Sequence, residues 1–146
     1  MRAAWIAVAL LTFGCETPTT FTASVQASSS QSSKIGGRAQ LIINVTNTGP
    51  LIPHLGLTFQ TPDRWYDVHE VTDMGGCTID ADHSAFDCGD LAAGATATYS
   101  ISGVAREAGT FRYQLALRSL VRPFHYVNDH PDGADAQVWE EVVQAA

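Results

Sequence analysis

Alternation with a period of two constrains this chain more than any other feature. In "RAQLIINVTN" (38–47), Ala39, Leu41, Ile43 and Val45 fall on one face, with Gln40, Asn44 and Thr46 on the other. "TATYSIS" (96–102) sets Ala97, Tyr99 and Ile101 against Thr98 and Ser100, and "FRYQLALRS" (111–119) sets Phe111, Tyr113, Leu115 and Leu117 against Arg112, Gln114 and Arg118. Strands that bury one face and wet the other belong to antiparallel sheets. "FTASVQAS" (21–28) reads as a first strand, while "HLGLTFQ" (54–60), "WYDVHEV" (65–71) and "AQVWEEVVQ" (136–144) are weaker candidates. Turn signals separate the strands at "NTGP" (47–50), "DLAAG" (90–94) and "REAG" (106–109). The serine-rich stretch 28–37 reads as a loop between the first two strands. No 11-residue window carries a helical stripe. Seven to nine short strands in one core predict an all-β, antiparallel two-sheet sandwich. With 45% hydrophobic and 16% charged residues, the chain can fill such a core.

The start of the chain points to export. "MRAAWIAVALLTFG" (1–14) has one early cation, Arg2, and an apolar stretch from Ala3 to Phe13. That stretch suits the apolar region of a signal peptide and is too short to span a bilayer. "TFGC" resembles a lipobox, with Gly14 before Cys15 and Leu10 and Leu11 upstream, although Thr12 and Phe13 depart from the pattern. Ordinary cleavage after Ala23 or Ala27 is the competing reading. Cysteine arithmetic favours lipidation of Cys15, because Cys77 and Cys88 can pair with each other and would leave Cys15 unpaired in an oxidising compartment. The predicted organisation is a signal peptide (1–14), a polar tether (15–20) and one sandwich domain (21–146), exported and held on a membrane only by its lipid.

"CTIDADHSAFDC" (77–88) permits a register argument. With Asp82 and His83 at a hairpin turn, Cys77 stands opposite Cys88 and Ile79 opposite Phe86. Opposed strand residues lie close enough for a disulfide. A two-cysteine metal site is the alternative, but there is no CxxC spacing and no adjacent His pair.

Two segments carry a resemblance. "IGGRAQLIINVTNTGP" (35–50) is similar to the opening signature of the bacterial immunoglobulin-like conserved-repeat family known as domain of unknown function eleven, with Gly36 or Gly37, Asn47, Gly49 and Pro50 at its turn positions. "FDCGDLAAGATATYSISGVAREAGTFRYQLAL" (86–117) resembles the later half of that family through Cys88, Leu91, Gly94 and the run from Ala108 to Thr110. There are two departures: one copy instead of a tandem array, and a middle (51–76) without the usual D-x-L-P stretch. The resemblance implies an immunoglobulin-like antiparallel β-sandwich serving as an extracellular stalk or interaction module, with no catalytic residues to carry over.

The residues themselves add little chemistry. No GxSxG, HExxH or phosphate-cradling glycine loop occurs, no cofactor is implied, and the serines of 28–33 have no paired base. With a net charge of −7 and eight scattered basic residues, the chain does not fit nucleic acid. In "HYVNDHPDGADAQ" (125–137), Asp129, Asp132 and Asp135 are a weak calcium candidate, but His130 and Pro131 break the D-x-D-x-D-G pattern. Zinc through His125 and His130 is weaker still, and turn-forming residues explain the segment without either metal. His54, His69 and His83 read as isolated, solvated or loop residues. Trp139, among Val138, Val142 and Val143, is expected in the core. Trp65, flanked by Asp63, Arg64 and Asp67, is open between core and surface. The function expected is a non-enzymatic, lipid-anchored surface module in adhesion or protein interaction. The alternative is a carbohydrate- or small-ligand-binding sandwich with Trp65, Tyr66 and His69 as an exposed patch, its partner a protein or glycan.

Overall fold

A computed structural model describes residues 20–30, 34–60, 63–82, 84–129 and 137–146. The strands, in chain order, are β1 (Ala23–Ser30), β2 (Arg38–Asn47), β3 (Leu55–Phe59), β4 (His69–Asp73), β5 (Thr78–Ile79), β6 (Ala85–Asp87), β7 (Thr96–Ala105), β8 (Gly109–Ser119), β9 (His125–Tyr126) and β10 (Gln137–Val143). One sheet runs β1-β2-β7-β4 and the other β10-β8-β3-β6-β5, with β9 paired to the end of β8. Every pairing between these strands is antiparallel. The order β1-β2-β7-β4 facing β10-β8-β3 is the ABED-over-GFC arrangement of an immunoglobulin-like sandwich. The ten described strands exceed the expected nine because β5, β6 and β9 are only two or three residues long.

The alternating residues meet where the two sheets face each other. Leu41, Ile43, Val45 and Ile101 from one sheet, and Leu55, Leu57, Phe86 and Tyr113 from the other, are fully enclosed. Burying each such side chain contributes roughly 1.5–3 kcal/mol. β3 breaks the alternation: all five of its residues are buried. Its outward face is covered in part by Leu120, since a Cβ on Gly56 would sit 2.6 Å from Leu120 Cδ2.

The segment 65–71 is not a single strand. Trp65–Val68 form one helical turn, α1, before β4 begins at His69. A turn of this kind brings residues three apart onto one face, and Trp65 and Val68 are the two it buries. The indole ring needs a neighbour without a side chain. Gly103 provides it, as a Cβ there would lie 2.8 Å from Trp65 Cη2.

The β5–β6 hairpin has the anticipated register, with Thr78 opposite Asp87 and Ile79 opposite Phe86. Cys77 and Cys88 are disulfide-bonded, with Cα atoms 4.1 Å apart. Side chains cap the β1 edge at two positions, Ala23 and Ala27. Asn128 accepts from the Ala23 N–H (3.0 Å) and donates to the Ala23 carbonyl (2.9 Å), as a neighbouring strand would. Gln137 Oε1 accepts from the Ala27 N–H at 3.3 Å. Blocking exposed N–H and C=O groups in this way protects a sheet edge from pairing with other chains.

Candidate functional site

Trp65 and His69 do not form an exposed patch. They are 1% and 2% exposed, and their rings stack with centroids 4.1 Å apart inside the sandwich. Tyr66 is half-buried, edge-on to Phe86 (5.4 Å) and Phe59 (6.1 Å). The apolar wall of Trp65 against Gly103 holds this cluster inward, so the aromatic stacking platform expected for a sugar does not exist at this place. The reading of His69 as a solvated residue is corrected with it.

His69 joins a polar cluster between the sheets. Its Nδ1 donates to the Trp65 carbonyl (2.8 Å), and Nε2 meets Glu141 Oε1 at 3.1 Å. The Tyr113 hydroxyl donates to Glu141 Oε2 at 3.1 Å. A carbonyl only accepts, so Nδ1 carries a proton, and a second proton lies between Nε2 and the carboxyl. Burial first, and then the Glu141 charge and hydrogen bond, push the Tyr113 phenol far above its usual value. The cluster is closed to solvent and ties β4 of one sheet to β8 and β10 of the other. Nothing in the sequence singles out Glu141. Strict alternation through β10 does place Trp139, Glu141 and Val143 together, with Val138 and Val142 outward at 48% and 55% exposure. Trp139 is half-buried against Tyr113 and Phe59, as expected, but Val138 and Val142 do not accompany it.

A surface cleft lies elsewhere. The β2–β3 connection, the β5–β6 tip and the chain after β8 converge on a cleft of about 410 Å³ lined by His54, Asp82, Asp87, Val121, Arg122 and Phe124, among others. The first and third of these connections are the B–C and F–G loops of one end of an immunoglobulin-like sandwich, and the β5–β6 tip belongs to the long connection between the D and E strands. His54 holds the left-handed backbone conformation, φ 45°, which is uncommon outside glycine. Three anchors keep it there. Its N–H donates to Asp90 Oδ1 (3.0 Å), its carbonyl accepts from Leu120 N–H (2.9 Å), and Nδ1 donates to Asp87 Oδ2 (3.0 Å). The imidazole remains 57% exposed.

The opposite wall is a chain of polar contacts around Phe124. The guanidinium groups of Arg118 and Arg122 lie 4.5 and 5.1 Å from its ring centroid. Arg118 donates to Ser84 Oγ at 2.9 Å, Ser84 donates to Asp80 at 2.8 Å, and Arg122 stands 3.8 Å from Asp82. Burial by itself would raise the Asp80 carboxyl. The Ser84 N–H and hydroxyl, the Ala85 N–H and the Arg118 charge together outweigh burial and hold it below its usual value. The site is therefore a pre-shaped rim of donors and acceptors with an apolar floor. No spacing in the sequence announces it, because its residues come from three separated connections.

Of the remaining expectations, the signal peptide, the tether and Cys15 lie outside the described residues, except Thr20 at the end of the tether. The same holds for His83, Asp132, Asp135 and the side chain of Asp129. Among the described residues no group of His, Cys, Asp or Glu is arranged to hold a metal ion. Nor is any described helix long and apolar enough to cross a membrane.

No protein-family model matches the chain, and no curated protein does. Among solved structures, the chain has a likeness to the Vibrio cholerae VesB protease, at 16% identity and a TM-score of 0.28. It covers 82% of this chain and spans only 31% of the VesB chain. A likeness that weak carries no argument about activity.

Proposed function

We propose that this protein is a non-catalytic, exported surface module, lipid-anchored through Cys15, that contacts a protein or glycan partner through the loop end of one immunoglobulin-like sandwich. The observation that carries the reading is the Cys77–Cys88 disulfide. Such bonds form and persist in oxidising compartments outside the cytosol. The loop end supports the contact role, since binding residues concentrate on loops that a rigid scaffold positions. The titratable cluster of His69, Glu141 and Tyr113 is sealed from solvent, which supports the non-catalytic reading.

Kinship with the domain of unknown function eleven repeats is part of the same proposal. The two segments that resemble the family touch each other: Gly94 N–H donates to the Asn47 carbonyl (3.1 Å), and Asn47 Nδ2 donates to the Leu91 (3.0 Å) and Ala92 (3.1 Å) carbonyls. The test is detergent phase partitioning of wild type and Cys15→Ser in a bacterial host. Wild type is expected in the detergent phase and the variant in the aqueous phase. Equal partitioning of the two rejects the anchor.

A further inference from the structure

The cleft around His54 can be assigned a ligand chemistry, an inference that rests on the surface-module reading and deepens it. We infer that the loop-end cleft is a binding site for a neutral saccharide. The first observation is His54 itself. A non-glycine residue held at φ 45° by three separate hydrogen bonds is a strained position that the fold maintains. Strain of this kind concentrates at ligand-contacting sites. The Asp87 carboxylate accepts the hydrogen bond from Nδ1–H, and among the described residues nothing bonds to Nε2, the other polar atom of the ring.

The second observation is the balance of the rim. Arg122 supplies N–H donors and Asp82 supplies acceptors; their side chains are 78% and 65% exposed, and at 3.8 Å they do not saturate one another. A sugar hydroxyl both donates and accepts, so one ligand hydroxyl can give its proton to Asp82 while its neighbour accepts from Arg122, and a hydroxyl can pair with His54 Nε2 in either sense. Val121 and Phe124, exposed at 44% and 37%, offer an apolar surface to the C–H face of a ring. The two guanidiniums already lie over the Phe124 ring, so the sugar meets an apolar edge here, with hydrogen bonds supplying the specificity. The charged groups of the site are already engaged: Arg122 lies beside Asp82, Arg118 reaches Asp80 through Ser84, and Asp87 accepts from His54 Nδ1–H and the Gly89 N–H. An anionic or cationic ligand would have to break such a pair, whereas an uncharged polyol need not. A cleft of about 410 Å³ is in the size range of small-ligand sites.

The test is binding of the purified, oxidised protein to immobilised neutral oligosaccharides, with acidic oligosaccharides and peptides on the same surface. Wild type is expected to bind one or more neutral oligosaccharides. His54→Gly and Arg122→Ala are each expected to weaken that binding at least roughly tenfold, the effect of one lost hydrogen-bonding group to a ligand. His54→Gly removes the backbone strain, so its melting temperature should not fall, which separates lost binding from lost folding. Binding only to acidic sugars or only to peptides overturns the assignment, as does neutral-sugar binding that survives both variants. Silence on every surface overturns it as well, while protease accessibility of the protein on intact cells reports independently on the surface-module reading.

Discussion

His69 of β4 and Glu141 of β10 meet at 3.1 Å in an interior where their side chains are 0% and 2% exposed, joining the edge strands of opposite sheets. The pair shares a proton and is braced by the Trp65 carbonyl on one side and the Tyr113 hydroxyl on the other. A buried pair of this kind contributes modestly in total, yet breaking it is costly because the survivor is stranded.

His69→Leu or Glu141→Leu alone should therefore destabilise the fold by about 3–5 kcal/mol in urea denaturation. The double variant should lose much less than the sum of the two, since it strands no charge. Additive losses would contradict the coupling.

The Tyr113 phenol gives a pH dependence with a fixed sign. In the folded chain it keeps its proton well past the ordinary tyrosine value of 10.0, through burial and then the Glu141 carboxylate. The unfolded chain releases that proton first, so stability is fully present below about pH 10 and falls as pH rises further. Tyr66 and Tyr99, also raised by burial, add to the same slope. Denaturation curves between about pH 8 and 11.5 should show the decline, and Tyr113→Phe should make it shallower at a cost of about 1 kcal/mol near pH 8.

Asn47 is 1% exposed and reads three carbonyls with one amide: Pro50 (2.8 Å), Leu91 (3.0 Å) and Ala92 (3.1 Å). Its Oδ1 accepts from the Gly49 N–H at 2.9 Å. Asn47→Ala should cost about 3 kcal/mol, because these groups lose their partners in a dry setting. Asn47→Asp, nearly identical in shape, should cost more, since a carboxylate would face the three carbonyl oxygens. Melting temperatures that rank Asp above Ala would contradict this role.

How much of this is legible in the sequence depends on where each side chain faces. β2, β7 and β8 can be read because one face of each is buried and the other is wet. β3 gives a weak signal because Gly56 and Thr58, on its outward face, are also covered, which erases the alternation. The turn at Trp65–Val68 has four residues, too few for a helical period, and its direction is set by Gly103, far off in sequence. The disulfide is readable because hairpin register is local. Glu141 is not, because an inward carboxylate makes sense only once His69, 72 residues away, is known to face it. The cleft draws on His54, the 80–87 hairpin and residues 120–124, which only the assembled sandwich brings together.

The most direct measurement is a non-reducing peptide mass map of the protein recovered from fractionated cells. A Cys77–Cys88 cross-link is expected, in a chain found in the membrane fraction and cut by protease added to intact cells. Free thiols at both positions in a cytoplasmic chain would contradict it.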